Sequence, residues 1–138
     1  MSAQSTFPLI HTTAHGLTVL LVDDDEAFRR GLAENLRDDG HLVFEYGEPG
    51  DVPLLSALDG VTVVVTDYEM PGSDGLCFAD RVHAAAPQLP VVLLTAQREA
   101  PLEANAAGRS FVRLLYKPVE YQRLHQLLHE LVGDTSHD

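Results

Sequence analysis

The sequence is short of several things, and each shortage narrows what the chain can be. Its 138 residues include one cysteine, Cys77, so no internal disulfide can form, which fits a reducing compartment. No apolar run approaches the roughly 18 residues needed to span a bilayer, and the start MSAQSTFPLIHTTAH lacks a basic stretch followed by an apolar core. The chain therefore reads as cytoplasmic, with no membrane role. Basic residues are also scarce: nine stand against 21 acids, a formal charge of −12. A nucleic-acid backbone would be repelled over most of such a surface, so direct DNA binding is not expected. Eight of the nine bases are arginines, and the single lysine is Lys117, inside Tyr116-Lys117-Pro118. No Gly-Lys-Ser/Thr occurs, and Gly72 and Gly75 form no nucleotide-binding loop.

What is present suits one packed domain. The length matches the usual roughly 100 to 200 residues, and 45% hydrophobic with 22% charged residues argues against a disordered chain. Residues 1–16 read as a flexible N-terminal extension and 133–138 as a polar C-terminal tail, with the folded domain over 17–132. Within it, five short apolar runs predict strands at Leu17 to Val22, His41 to Glu45, Val61 to Thr66, Val91 to Leu94 and Val112 to Tyr116. Helical spacing separates them: Phe28, Leu32 and Leu36; Leu76, Ala79, Val82 and Ala86; and Tyr121, Leu124, Leu128 and Leu131. Segments near 51–59 and 98–108 carry weaker helical patterns, with Pro101 in the first turn of the second. Strands alternating with helices, three of them almost wholly apolar, predict an α/β domain whose doubly wound parallel sheet is covered on both faces.

The residue that follows each apolar run matters most. Val22 leads into Asp23-Asp24-Asp25-Glu26, Thr66 into Asp67, Leu94 into Thr95 and Tyr116 into Lys117. In a parallel sheet these ends share one edge, where open α/β folds hold ligands. Two carboxylates about 5 Å apart repel by roughly 3 kcal/mol at an effective dielectric near 20, so such a cluster calls for a cation or for protonation. Oxygen-only ligation suits Mg²⁺, which commonly shares its coordination with a phosphate. A carboxylate beside a metal and a lysine can act as a phosphoryl acceptor.

Val22-Asp23-Asp24, the loop Asp67-Tyr68-Glu69-Met70-Pro71-Gly72-Ser73-Asp74-Gly75, Leu94-Thr95-Ala96 and Lys117-Pro118, in this order, resemble the receiver domain of two-component response regulators over about residues 17–132. The resemblance implies a five-stranded parallel sheet of flavodoxin-like order 2-1-3-4-5 with five helices. It implies Asp67 as the acceptor of a phosphoryl group from a sensor histidine kinase or histidine phosphotransfer protein. Asp24, Asp67 and the backbone carbonyl of Glu69 would ligate Mg²⁺ directly, and Asp23 through a water. Lys117 would pair with the phosphoryl group, Thr95 would swing in to hydrogen-bond it, Glu69 and Gln97 would tune its lifetime, and Lys117-Pro118 would be cis. Output would pass to a downstream protein partner, and a homodimer through the last two helices is compatible with this scheme.

Two features depart from that pattern. Leu114 stands three residues before Lys117, where the family usually has an aromatic residue, so either the coupled aromatic is missing or Phe111 or Tyr116 replaces it. Gly108 lies nine residues before Lys117, a longer spacing than the family's, which predicts an altered connection into the last strand. An aspartate-nucleophile phosphohydrolase and a receiver-like scaffold that does not cycle phosphate remain alternatives. Asp25 and Glu26 read as a helix cap and first turn, Asp74-Gly75 as a turn and cap, and Cys77 as a small buried residue. His125 and His129 have the i, i+4 spacing of a helical zinc pair, but His-x-x-x-His-Glu is not the metalloprotease motif and reads as a solvated face.

Overall fold

The computed structural model describes residues 16–137, so the N-terminal extension read from 1–16 lies outside the described residues except for Gly16. Valine and leucine runs form the sheet: β1 Thr18–Val22, β2 Leu42–Tyr46, β3 Val63–Asp67, β6 Val91–Thr95 and β7 Val112–Tyr116, all parallel, in the order β2-β1-β3-β6-β7. Counted along the chain this is the expected 2-1-3-4-5 order. Successive side chains point to opposite faces, so β1 sends Leu20 and Val22 to one core and Val19 and Leu21 to the other. Both faces of β1, β3 and β6 are dry, which is why these three read as unbroken apolar runs, whereas the edge strand β2 leaves Leu42 and Phe44 exposed. Each fully buried Val or Leu contributes roughly 1.5–3 kcal/mol relative to exposure, so the central strands hold their ends in fixed positions.

Helices α1 Glu26–Asp38 and α5 Tyr121–His137 cover one face; α2 Leu54–Ala57, α3 Gly75–Ala85 and α4 Ala100–Ala107 lie on the other. Four of these have eight residues or more, and α2 is a single turn after a 3-10 turn at Pro49–Asp51, where the sequence pattern was weakest. The final helix runs to His137, past residue 132. Asp25 caps α1 by accepting from Phe28 N–H, and Asp74 caps α3 by accepting from Cys77 N–H. A two-stranded hairpin, β4 Glu69–Met70 and β5 Ser73–Asp74, turns through Pro71-Gly72, with Gly72 at a φ of 78° that glycine adopts without strain. Among the described residues no helix is long and apolar enough to cross a membrane.

The structure corrects one local expectation here. Cys77 is exposed, because the buried stripe of α3 runs through Leu76, Phe78, Ala79 and Val82 and leaves position 77 on the outer side. The connection into β7 is short: Gly108 ends α4, and Phe111, just before the strand, stacks on His83 of α3 with centroids 3.9 Å apart.

Candidate functional site

The four strand ends meet as the parallel sheet requires. Asp67 is the last residue of β3 and lies in register with Leu94; Thr95 ends β6 opposite Tyr116; Lys117 follows β7 and donates its N–H to the Thr95 carbonyl at 2.8 Å. Asp23 follows β1 and donates its N–H to the Tyr46 carbonyl at 3.1 Å. Lys117-Pro118 is cis, as expected.

Asp23 and Asp67 are buried, whereas Asp24 is exposed at the rim. One carboxylate oxygen from each of Asp23, Asp24 and Asp67 falls within a 4.8 Å cluster. Lys117 Nζ lies 2.9 Å from Asp67 Oδ1 and 3.5 Å from Asp23 Oδ2. Those two buried oxygens have no hydrogen-bond donor aligned on them, so the ammonium meets them as an ion pair. The other Asp23 oxygen, Oδ1, accepts from Asp25 N–H at 2.9 Å. Burial, reinforced by the Asp23 and Glu69 charges and only partly offset by Lys117, pushes the Asp67 carboxyl up to about 6. Burial also raises Asp23. Burial alone would pull the Lys117 ammonium down, but the Asp67 and Asp23 carboxylates outweigh it and raise it. One ammonium thus serves two buried acids, with the exposed Asp24 completing a cluster of three carboxylates. This donor set fits a hard divalent cation.

The remaining candidates form an adjoining pair. Thr95 is buried, and its hydroxyl donates to Glu69 Oε2 at 3.2 Å while accepting from Gln97 N–H at 2.9 Å. Gln97 therefore reaches the site through its backbone. The Glu69 contact was not visible in the sequence, because it needs the β4–β5 hairpin to fold that carboxylate over the end of β6.

Several neighbours escaped the sequence reading. Gly75 opens α3 directly against the acidic strand end: a Cβ there would lie 2.5 Å from the Asp67 carbonyl oxygen and 2.5 Å from Leu93 Cδ1, so the position has no room for a side chain. Its glycine was visible in the motif, but not the approach that requires it. Arg29 donates from Nη1 to the Asp23 carbonyl at 2.9 Å and is held by Glu45 at 3.1 Å. The Phe28 ring lies under Lys117 Nζ, 4.8 Å from its centroid.

Of the two aromatic residues nearest Leu114, Phe111 stacks on His83, at the other end of β7. Tyr116 lies beside Thr95 across the β6–β7 register, on the face of β7 that also carries Leu114. Its hydroxyl donates to the Glu103 carboxylate of α4, and Arg98 sits 4.1 Å over its ring. Beside it, a groove of ≈ 420 Å³ is lined by Arg98, Tyr116, Pro118, Val119, Glu120 and Arg123, among others.

Comparison with known proteins agrees with this geometry. A family model described as the response regulator receiver domain matches residues 19–129. The response regulator protein FleR of Pseudomonas aeruginosa is 33% identical over 111 residues, covering 80% of this chain and 23% of FleR. The chain spans under a third of the length of the first curated relatives it matches. Among solved structures, a CheY-like receiver domain protein from Methanospirillum hungatei superposes with a TM-score of 0.80 at 17% identity, over 88% of this chain and 97% of that one. The signal receiver domain of an HD domain-containing protein from Pseudomonas fluorescens gives 0.77 at 25% identity, over 87% and 89%. With the family model covering most of the chain and the acidic strand ends in place, the protein belongs to the response regulator receiver family of two-component systems.

Proposed function

We propose that this receiver domain is a phosphoacceptor switch, with Asp67 as the acceptor. The observation that carries the reading is the Asp67 carboxylate, buried at a strand end with Lys117 Nζ 2.9 Å from its Oδ1 and the Asp23 and Asp24 carboxylates beside it. In the reaction an Asp67 oxygen attacks the phosphorus of a phosphohistidine on a sensor histidine kinase or histidine phosphotransfer protein. The O–P bond forms as the P–N bond breaks, and the leaving imidazole keeps the electron pair and takes a proton. Mg²⁺, held at Asp24, Asp67 and the Glu69 carbonyl, with Asp23 through water, would neutralise the phosphoryl oxygens during transfer. Lys117 contributes the second positive charge, already positioned by the two buried acids.

The Thr95–Glu69 hydrogen bond gives the switch its resting contact. A phosphoryl group on Asp67 competes for the Thr95 hydroxyl, and Glu69 must release it. Thr95 faces Tyr116 across the register, so its movement is felt next to the groove between β7 and α5, where a downstream protein would read it. Glu69 and Gln97, both in contact with Thr95, would set how long the phosphoryl group lasts. The role is signalling rather than turnover, in the cytoplasm, and the charge of −12 disfavours direct DNA contact by this domain.

The test is intact mass after incubation with Mg²⁺ and acetyl phosphate, for wild type and Asp67→Asn. One added phosphoryl group in the wild type only is expected, lost when EDTA replaces Mg²⁺. Phosphate release far beyond one equivalent without an adduct would instead indicate the phosphohydrolase, and no adduct with no beryllofluoride binding would indicate the scaffold.

A further inference from the structure

Of the His125–His129 pair on α5, His129 is exposed as expected, but His125 is half-buried against a third imidazole. His41, in the turn that leads from α1 into β2, is buried and places its Nε2 2.8 Å from His125 Nε2. His129 Nε2 lies 3.2 Å from the same His125 atom, and one ring nitrogen from each of the three histidines falls within a 4.8 Å cluster. The rings are splayed, with interplanar angles of 49° for His41–His125, 57° for His41–His129 and 90° for His125–His129. Asp39, at the end of α1, brings Oδ2 within 3.8 Å of His125 Nε2, and the Tyr121 hydroxyl fixes that oxygen by donating to it at 2.7 Å. The cluster lies at the opposite sheet edge from Asp67: Leu17 touches it, and Asp23 stands six residues along β1, about 20 Å away at the usual strand rise.

The protons available pair only one of the two nitrogen–nitrogen contacts well. Leu17 N–H donates to His41 Nδ1 at 2.9 Å, so the neutral His41 ring carries its proton on Nε2 and gives it to the lone pair of His125 Nε2. His129 Nε2 then crowds a lone pair already taken. Three convergent nitrogens and a carboxylate are the donor set of a borderline divalent transition ion, and the tetrahedral Zn–N length of about 2.0–2.1 Å puts neighbouring nitrogens about 3.3–3.4 Å apart. The His41–His125 separation of 2.8 Å must open by about half an ångström and the His125–His129 separation of 3.2 Å by less, while Asp39 Oδ2, 3.8 Å from His125 Nε2, must close by about as much as the first opens.

We propose that His125 and His129, completed by His41 and the Asp39 carboxylate, bind a divalent transition-metal ion of the Zn²⁺ class. The i, i+4 pair on α5 supplies most of the affinity. His41 is the costlier ligand, because its Nε2 proton must leave or move to Nδ1, where it would face the Leu17 N–H. Loading ties α5 to the end of α1, and so couples a helix beside the β7–α5 groove to metal availability.

Calorimetry with Zn²⁺ alone as titrant, on metal-stripped full chain in excess Mg²⁺ to occupy the acidic cluster, tests this. One equivalent is expected to bind and to raise the unfolding midpoint. His129→Gln and Asp39→Asn keep the test independent of folding, because both positions are exposed, whereas His41→Gln removes the partner of Leu17. His129→Gln is expected to weaken Zn²⁺ by more than about tenfold and Asp39→Asn by less, while both still take up a phosphoryl group from acetyl phosphate. An isotherm unchanged in His129→Gln, or no binding at one equivalent in the wild type, overturns the proposal.

Discussion

At the carboxyl edge of the sheet three aspartates crowd around one lysine; at the amino edge three histidines crowd around one another with a single aspartate beside them. The acidic cluster carries excess negative charge in a buried place, and its oxygens wait for positive charge. At the imidazole cluster burial pulls His41 and His129 down, and neighbouring imidazoles add to it. Crowding acids makes a site for a hard ion and a phosphoryl group, whereas crowding imidazoles makes a site for a softer ion. The same sheet carries both clusters because its strands place them at opposite ends of β1.

The sharpest way to separate the edges is Asp67→Asn, expected to abolish phosphoryl uptake by intact mass while leaving Zn²⁺ calorimetry unchanged. The same variant has a pH signature. The Asp67 carboxyl sits at about 6 in the fold against 3.8 ordinarily, so between those pH values the folded chain holds a proton that the unfolded chain has released. Stability contributed by that group therefore falls as pH rises through the window. In EDTA, Asp67→Asn should raise the free energy of urea unfolding on the order of 1–2 kcal/mol at pH 7 and by little near pH 4. An equal gain at both pH values would contradict the assigned cause.

Lys117→Ala comes next. Removing the cation leaves two buried carboxylates uncompensated, which should cost about 3 kcal/mol at neutral pH without metal, and slow phosphoryl uptake by about a hundredfold. Rapid-mix mass spectrometry and denaturant unfolding would read both. Gly75→Ala should be smaller in stability, about 1–3 kcal/mol, because the new Cβ would meet the Asp67 carbonyl and the backbone must shift. Slower phosphoryl uptake in that variant, with Zn²⁺ affinity kept, would tie the close approach to the carboxyl edge alone. The smallest effect is Asp39→Asn at the amino edge: it keeps an oxygen for Tyr121 and should change unfolding free energy by under about 1 kcal/mol.

How much was readable in advance follows from how each group is placed. Asp23, Asp67, Thr95 and Lys117 each adjoin or end an apolar run, and parallel strands bring such ends together whatever lies between them. Asp25, Asp74 and Pro101 were readable because capping is a matter of a few consecutive residues. Cys77 was misjudged because one residue type says less than the phase of its helix. That Tyr116 and not Phe111 lies beside Thr95 needed the register of β7 against β6, which the run Val112 to Tyr116 does not reveal by itself. The partner of the Thr95 hydroxyl needed the hairpin at Glu69–Asp74, too short to show a period.

The sequence by itself determined the strands, their parallel layering and the gathering of acids with Lys117 at one edge, because burial on both faces imposes a local pattern and connectivity then orders the ends. Only the tertiary structure decided that His41 meets His125, 84 residues away, that Asp39 faces the pair and that Thr95 rests on Glu69. Those meetings depend on how α5 crosses the turn after α1 and how one hairpin folds over β6, and packing between distant elements leaves no period in the chain to read.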